Sequence, residues 1–286
     1  MSSIAPEGTA QTATPQTEPP RIQTRVVAVA LALLALLAAA AFSARGGFAV
    51  PGEGLRYAAG ALLGAVAGIG LYHAAFGFTA AWRRLVRERR GAGLRAQMLL
   101  IAGACLITYP LIGFEQTTGW DMHPVILPLS LASAIGAFVF GIGMQLGGGC
   151  ASGTLFTVGG GSTRMVVTLA AFIAGSVWAT AHIPAFWAEL NQMTGVPTIP
   201  GFSAVGRLGP IGALALLGVI VAAVWLLSTL IERRTHGDVV PIGASGGSAL
   251  TPARRLLSGP WSLAAGALVL AGVSVGCFLL FQRPGA

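Results

Sequence analysis

The residues best suited to chemistry crowd into one stretch, Phe140 to Met165, FGIGMQLGGGCASGTLFTVGGGSTRM. Two glycine triplets, Gly147–Gly149 and Gly159–Gly161, frame a short apolar piece opened by Cys150, Ser152 and Thr154. Glycine has no Cβ and tolerates positive φ, so each triplet lets the backbone turn or approach another group closely. A thiol just after such a triplet, at the start of a short helix, meets the positive end of that helix. That position attracts anions. The chemistry suggested is contact between Cys150 and an anion, with backbone approach at Gly148, Gly149 and Gly153. The hydroxyls of Ser152, Thr154, Ser162 and Thr163 can donate to oxyanion oxygens, although capping and bonding back to the helix are their commoner roles.

The neighbours have competing uses. Free cysteine is often a small buried apolar residue, and Cys105 and Cys277, remote from any glycine motif, read that way. Met144 and Gln145 lie one turn before the glycines. Met144 offers a soft thioether, with helix packing its commoner role, and Gln145 must find hydrogen-bond partners. Arg164 reads as an arginine snorkelling to an interface. An earlier stretch around Gly77 and Thr79 reads either as a helix end at a membrane surface or as backbone lining the same cavity as Cys150.

The elements that must hold these residues are membrane helices. The 286 residues are 55% hydrophobic and 9% charged, with a mean hydropathy of +0.77, whereas soluble domains carry about 25% charged residues. The expected fold is all-α, a multi-pass transmembrane protein. All 17 basic residues are arginine; without lysine there is no Walker-A phosphate loop, Schiff base or lysine general base. The net charge of +8 comes from arginines clustered between apolar segments, a membrane-topology signal rather than a nucleic-acid one. Histidines 73, 123, 182 and 236 lack metal-ligand spacing, no Ser/His/Asp constellation is visible, and the glycine triplets lack the strand–turn–helix setting of a nucleotide site. No catalytic residue, metal or cofactor is expected, and the chain does not read as an enzyme. Three cysteines beside apolar segments do not suggest a disulfide framework.

In order, residues 1–24 form a polar tail expected to be disordered, followed by a transmembrane region from 25 to 286. About seven spans are expected: 25–42, 55–75, 94–114, 125–146, 165–181, 209–231 and 261–281, each near the roughly 20 residues a bilayer requires. The first run lacks the A-x-A end of a cleavable signal peptide. In the second span, Gly60, Gly64 and Gly68 form a small-xxx-small stripe for close helix approach. Short broken elements are expected near 76–82 and 147–162, since irregular backbone at membrane depth needs protein or a polar cavity around it. The arginine run 83–95 reads as topogenic and lipid-facing, 182–208 as a loop with three prolines, and 232–258 as a polar loop. With the N-terminus cytoplasmic, thirteen arginines (21, 25, 83, 84, 87, 89, 90, 95, 164, 233, 234, 254 and 255) fall inside and four (45, 56, 207 and 283) outside. That count requires 147–162 to begin and end on the cytoplasmic side, as a re-entrant segment does.

GIGMQLGGGCASGTLFTVGGGSTRM with the following VVTLAAFIAGS (Val166–Ser176) resembles the YeeE/YedE family of sulfur-compound transporters. HAAFGFTAAWRRLVRERRGAGLRAQMLL (His73–Leu100) resembles that family's first re-entrant element and its arginine-rich exit, and GPWSLAAGALVLA (Gly259–Ala271) the helix opening its second half. The similarity covers most of the chain from about Leu55. It implies an inner-membrane importer of thiosulfate or a related sulfur anion, built from inverted halves with re-entrant helices meeting near the midplane. Cysteine thiols in such a protein hand the anion along by S–H···S contacts, and here only Cys150 falls on a family cysteine motif. Residues 55–181 would be a first repeat. Residues 209–286 would be the start of an incomplete second half, since the family continues from an Arg-Pro such as Arg283-Pro284 into a second glycine–cysteine element. A soluble sulfur-carrier or rhodanese-like protein is the cytoplasmic partner that the resemblance implies. Two other readings stay open: a membrane-bound relay forming a persulfide on Cys150, and a non-transporting half that needs a partner. The spans contain no Asp or Glu suggesting a proton relay.

Overall fold

The structure, a computed structural model, describes residues 53–114, 126, 130–194, 200–243 and 260–281, together with helical positions 28, 32, 35, 36 and 39. The expectations for the tail 1–24, for most of the first span, for residues 244–258 of the polar loop and for 282–286 lie outside the described residues. Among the described residues all regular structure is helical: α1 (Glu53–His73), α2 (Phe78–Glu88), α3 (Ala92–Gly113), α4 (Leu131–Leu146), α5 (Ala151–Gly159), α6 (Thr163–Thr194), α7 (Ala204–His236) and α8 (Leu263–Phe281). Among the described residues six segments are long and apolar enough to cross a membrane: Leu55–Glu88, Ala92–Gly113, Ser133–Gly159, Thr163–Phe186, Ala204–His236 and Leu263–Phe281. Large apolar side chains such as Leu146, Val167 and Val219 point outward, which a lipid solvent tolerates and water does not.

Two groups of helices result. In the first, α8 packs between α1 and α3, and α7 packs on the far side of α3, with α2 folded back onto the start of α3. Lipid tails are as apolar as the helices, so close van der Waals contact through small residues drives this packing. Gly266 lies against Ala74, Gly60 against the Phe281 ring, Gly276 against Leu63 and Gly113 against Pro210. The stripe read in the sequence is only partly used. Gly60 meets α8, but a Cβ at Gly64 or Gly68 would touch nothing within 4 Å, and Gly70, against Val269, takes the inner position instead. In the second group α5 lies on α6 and touches α1, while α4 touches α6.

The first group is locked by charges that the sequence reading puts in a lipid-facing arginine run and in a polar loop. Arg95 and Glu232 are 2% and 0% exposed. Arg95 Nη1 donates to Glu232 Oε2 at 2.7 Å and Nη2 to the Val240 carbonyl at 2.8 Å. The same carboxylate accepts from the Gly91 amide (3.3 Å), Arg90 Nη1 (3.3 Å) and the Val240 amide (3.2 Å). The Ser228 hydroxyl donates to the Gly91 carbonyl, and Arg90 also pairs with Asp238 at 3.0 Å. Desolvation opposes the Arg90 charge, but its bonds to Asp238 and Glu232 outweigh that and raise its pKa further. A buried carboxylate with this many donors is satisfied rather than stranded. The lipid-facing reading of the 83–95 run therefore fails at Arg95.

Two loop boundaries are also corrected. Helix α7 runs past 231 to His236, so Glu232 is helical, and Gly237 at φ 76° closes the helix in the left-handed conformation. Helix α6 continues through Pro184 to Thr194, where a loop was expected from 182; the His182 ring nitrogen lies 2.9 Å from the Trp178 carbonyl, inside the helix.

The element expected near 76–82 is a break followed by a longer helix. Ala74 to Gly77 turn the chain, with Ala75 at φ 46°, and α2 then runs to Glu88, carrying Arg83, Arg84 and Arg87. The exposed backbone groups of the turn are paired: the Phe76 amide donates to Leu71 O at 3.0 Å and the Trp261 amide to His73 O at 2.9 Å. Phe76 packs with Ala74, Ala96 and Ala267 as the apolar core under the turn.

Glu232→Ala leaves Arg95 buried without its anion. The expected cost is about 3–5 kcal/mol, and the double change Arg95→Met with Glu232→Leu should restore most of it. Thermal unfolding of the purified protein in detergent measures both; a single variant that unfolds at the wild-type temperature contradicts the expectation.

Candidate functional site

The second break, 147–150, sits between α4 and α5. Gly147 still closes the α4 ladder, its amide bonded to Gly143 O at 2.8 Å. Gly148 then takes φ +79°, where an L side chain is strained. A Cβ there would also stand 3.0 Å from Met165 Cε of α6. Cys150 follows in extended backbone as the N-cap of α5, and its side chain does not cap. Its Sγ instead lies 3.1 Å from Ser152 Oγ, above Gly153, where a Cβ would be in ordinary contact at 3.6 Å. In the first turn of α5 the Thr154 amide bonds to Cys150 O; the amides of Ala151, Ser152 and Gly153 precede the first helical acceptor, as at any helix start.

A cavity of about 280 Å³ opens in front of this turn. Gly149, Cys150, Ala151 and Thr154 form one wall, Phe140, Gly143, Met144 and Gly147 of α4 and the break a second, and Thr168, Ala171 and Phe172 of α6 a third. No residue of the lining carries a formal charge. The site is thus a half-open, mainly apolar cavity whose lining residues include one cysteine, one methionine and two threonines, with the N-terminus of α5 at its wall.

The structure sorts the residues singled out in the sequence. Cys150, Gly149 and Thr154 line the cavity. Ser152 touches the cysteine sulfur, Gly153 lies beneath it, and Gly148 makes the turn that places it. Thr79, 3% exposed in the first turn of α2, reaches the site at one remove: its hydroxyl donates to Met144 Sδ at 3.8 Å. Gly77 caps α2 and borders a separate small void with Ala80, Arg84, Gly93 and Leu263. Ser162 and Thr163 stand past the far end of α5, where the Ser162 amide bonds to Thr157 O at 3.2 Å; neither lines the cavity. The walls at Phe140, Gly143, Thr168 and Phe172 were not singled out in the sequence. Their spacings of three and four residues on α4 and α6 mark one face of each helix, but nothing local says which face turns toward Cys150. None of Cys105, Cys150 and Cys277 is in a disulfide, and among the described residues no cluster of His, Cys, Asp or Glu could hold a metal ion.

A family model described as sulphur transport matches residues 73–286, from the last residue of α1 through both breaks and all the later helices. No curated protein and no solved structure matches the chain.

Gly148→Ala adds a methyl where φ is positive and Met165 is close, so the break should lose about 1–2 kcal/mol. Gly159→Ala, where no contact falls within 4 Å and φ is not positive, is the control. Thermal unfolding should fall for the first and hold for the second; equal melting of the two variants contradicts the reading of this turn.

Proposed function

The chain belongs to the sulphur transport family, YeeE/YedE, and on that premise we propose that it imports thiosulfate, or a sulfur anion like it, through the cavity at Cys150. The observation that carries this reading is the placement of that thiol on the wall of an uncharged chamber at the N-terminus of a short, broken helix. Thiosulfate has a soft terminal sulfur at one end and three oxygens at the other. Cys150 S–H donates to the terminal sulfur, and the free amides of the α5 first turn with the Thr154 hydroxyl receive the oxygens. Ser152, against Cys150 Sγ, orients the thiol. The contact forms and breaks no covalent bond, so the thiol is unchanged after the anion passes.

The absence of formal charge on the walls suits transport. A fixed cation would hold the anion, whereas a dipole and hydroxyls bind it loosely enough to leave. The break at 147–150 lets the short helix α5 begin inside the protein with its N-terminus at the cavity, and the start of α2 reaches that cavity through the Thr79–Met144 contact. In the proposed orientation, in an inner membrane with a cytoplasmic N-terminus, the arginine-rich ends of α2 and α7 face the cytoplasm. Exposed Arg83, Arg84, Arg87, Arg233 and Arg234 would draw the anion inward, where a soluble sulfur-carrier or rhodanese-like protein would take it.

The test is growth of a thiosulfate-uptake-deficient bacterium on thiosulfate as its sulfur source. The chain should restore growth and Cys150→Ala, at equal membrane abundance, should not. Growth restored by both would remove the thiol from the pathway. Growth restored by neither, with labelled sulfur absent from the cells, would sink the transport reading, and a persulfide found on Cys150 in those cells would favour the relay.

A further inference from the structure

Resting on the thiosulfate reading, we infer that Met144 is a second sulfur contact for the anion, which sets the preference for a sulfur-terminated over an oxygen-terminated substrate, and that Thr79 is the residue that positions it. Met144 lies in the last turn of α4 and lines the cavity together with Cys150. Its neighbours along that wall, Gly143 and Gly147, carry no side chain to screen it. Methionine is flexible, with three rotatable bonds, and used as a plain gap-filler it needs no polar partner. Here it has one. The Thr79 hydroxyl, 3% exposed and 65 residues away in the chain, donates to Sδ at 3.8 Å, within reach of the large sulfur atom. A buried hydroxyl must place its proton somewhere, and spending it on a weak acceptor such as a thioether holds that sulfur in one position at the cavity wall.

The chemistry then favours one kind of anion. A thioether is polarizable and only weakly hydrogen-bonding, so it gains dispersion contact with a large, weakly hydrated sulfur terminus. It offers nothing to compensate the water stripped from a compact oxygen terminus. Cys150 supplies the proton donor and Met144 the soft wall, so the two sulfurs divide recognition of the terminal atom. The same contact ties the first broken element, at the start of α2, to the second, at the end of α4.

The experiment measures labelled thiosulfate uptake in proteoliposomes, with unlabelled sulfate and sulfite as competitors, for the wild type, Met144→Leu, Thr79→Val, Thr79→Ser and the double variant Met144→Leu/Thr79→Val. Leucine keeps the volume and loses the sulfur. Met144→Leu should raise the thiosulfate KM about fivefold and leave inhibition by sulfate and sulfite unchanged, so discrimination falls by the same factor while maximal uptake holds. Thr79→Val should shift KM in the same direction by a smaller factor, Thr79→Ser should behave as wild type, and the double variant should be no worse than Met144→Leu, because the threonine acts through the sulfur. An unchanged KM and discrimination in Met144→Leu would overturn the inference while leaving the transport reading intact. Thr79 and Met144 effects that multiply in the double variant would overturn the positioning role. A wild-type protein that takes up no thiosulfate, and whose Cys150 thiosulfate does not protect from alkylation, would overturn both readings together.

Discussion

The buried pair Arg95–Glu232 is the constraint on which the rest of the structure depends. Neither charge can leave water alone, and each is reached only if the start of α3 meets the end of α7 in one register. That register brings the Gly91 amide onto the carboxylate and the Ser228 hydroxyl onto the Gly91 carbonyl. A side chain at 91 would collide with Ser228; glycine is needed there for space, not for its conformational freedom. The carboxylate also captures the Val240 amide, which folds residues 237–243 back over the helix ends. Ile242 then offers its carbonyl to the Ala264 amide at the start of α8, and the Trp261 amide caps the end of α1 at His73. One ion pair thus fixes, through successive backbone bonds, where α1 stops and the first break begins.

From that break the linkage continues to the cavity. Gln97, buried in the second turn of α3, donates to the Phe78 carbonyl at 3.1 Å and holds the start of α2. Gly93 lets α2 approach α3 closely at Ala81. Thr79, one residue past Phe78, faces Met144. The chamber around Cys150 is therefore referenced to the charge network at the far end of α2, although no residue of the network touches it.

The sequence made legible what is local. Glycine triplets, a cysteine between them and long apolar runs name the broken helix and its neighbours, and the structure has a helix at each expected span within its described residues, although α6 and α7 run past their expected ends. Pairings distant along the chain were not legible. Arg95 looks like one more member of a topogenic run, and its partner is 137 residues away; Glu232, directly before the arginines that end a span, looks like the start of a loop. Prolines in 182–208 argue for a loop in a soluble protein, but in an apolar helix the lost backbone bond at Pro184 did not end α6. The glycines of α1 show the same limit from the packing side. A stripe spaced by four marks a face able to receive a helix, and only the partner, with its own Gly266 and Gly276, decides which glycines are used. Thr79 and Met144 were each visible as polar or soft residues, but the bond between them is a fact of the fold alone.

The two helix groups differ in a way that bears on function. The α1, α3, α7 and α8 group holds buried alanines at its centre and glycine contacts at its seams, so moving its helices would open close-packed interfaces. The α4–α6 group buries little beyond Gly153 and Thr154 of the short helix. Its ties to the first group among the described residues include the close approach of Gly160 to Tyr72 and the Thr79–Met144 bond. A shift of α4 or α5 against the rest would disturb little packing, and a segment with little buried apolar surface opens at low free energy. On the proposed reading, the rigid charge-locked group would be the frame and the lightly held group the part that admits and releases the anion. The weak thioether bond then has a second consequence. A strong hydrogen bond between the two breaks would fix the chamber in one shape, whereas an O–H···S contact orients Met144 yet yields at small cost when the helices part.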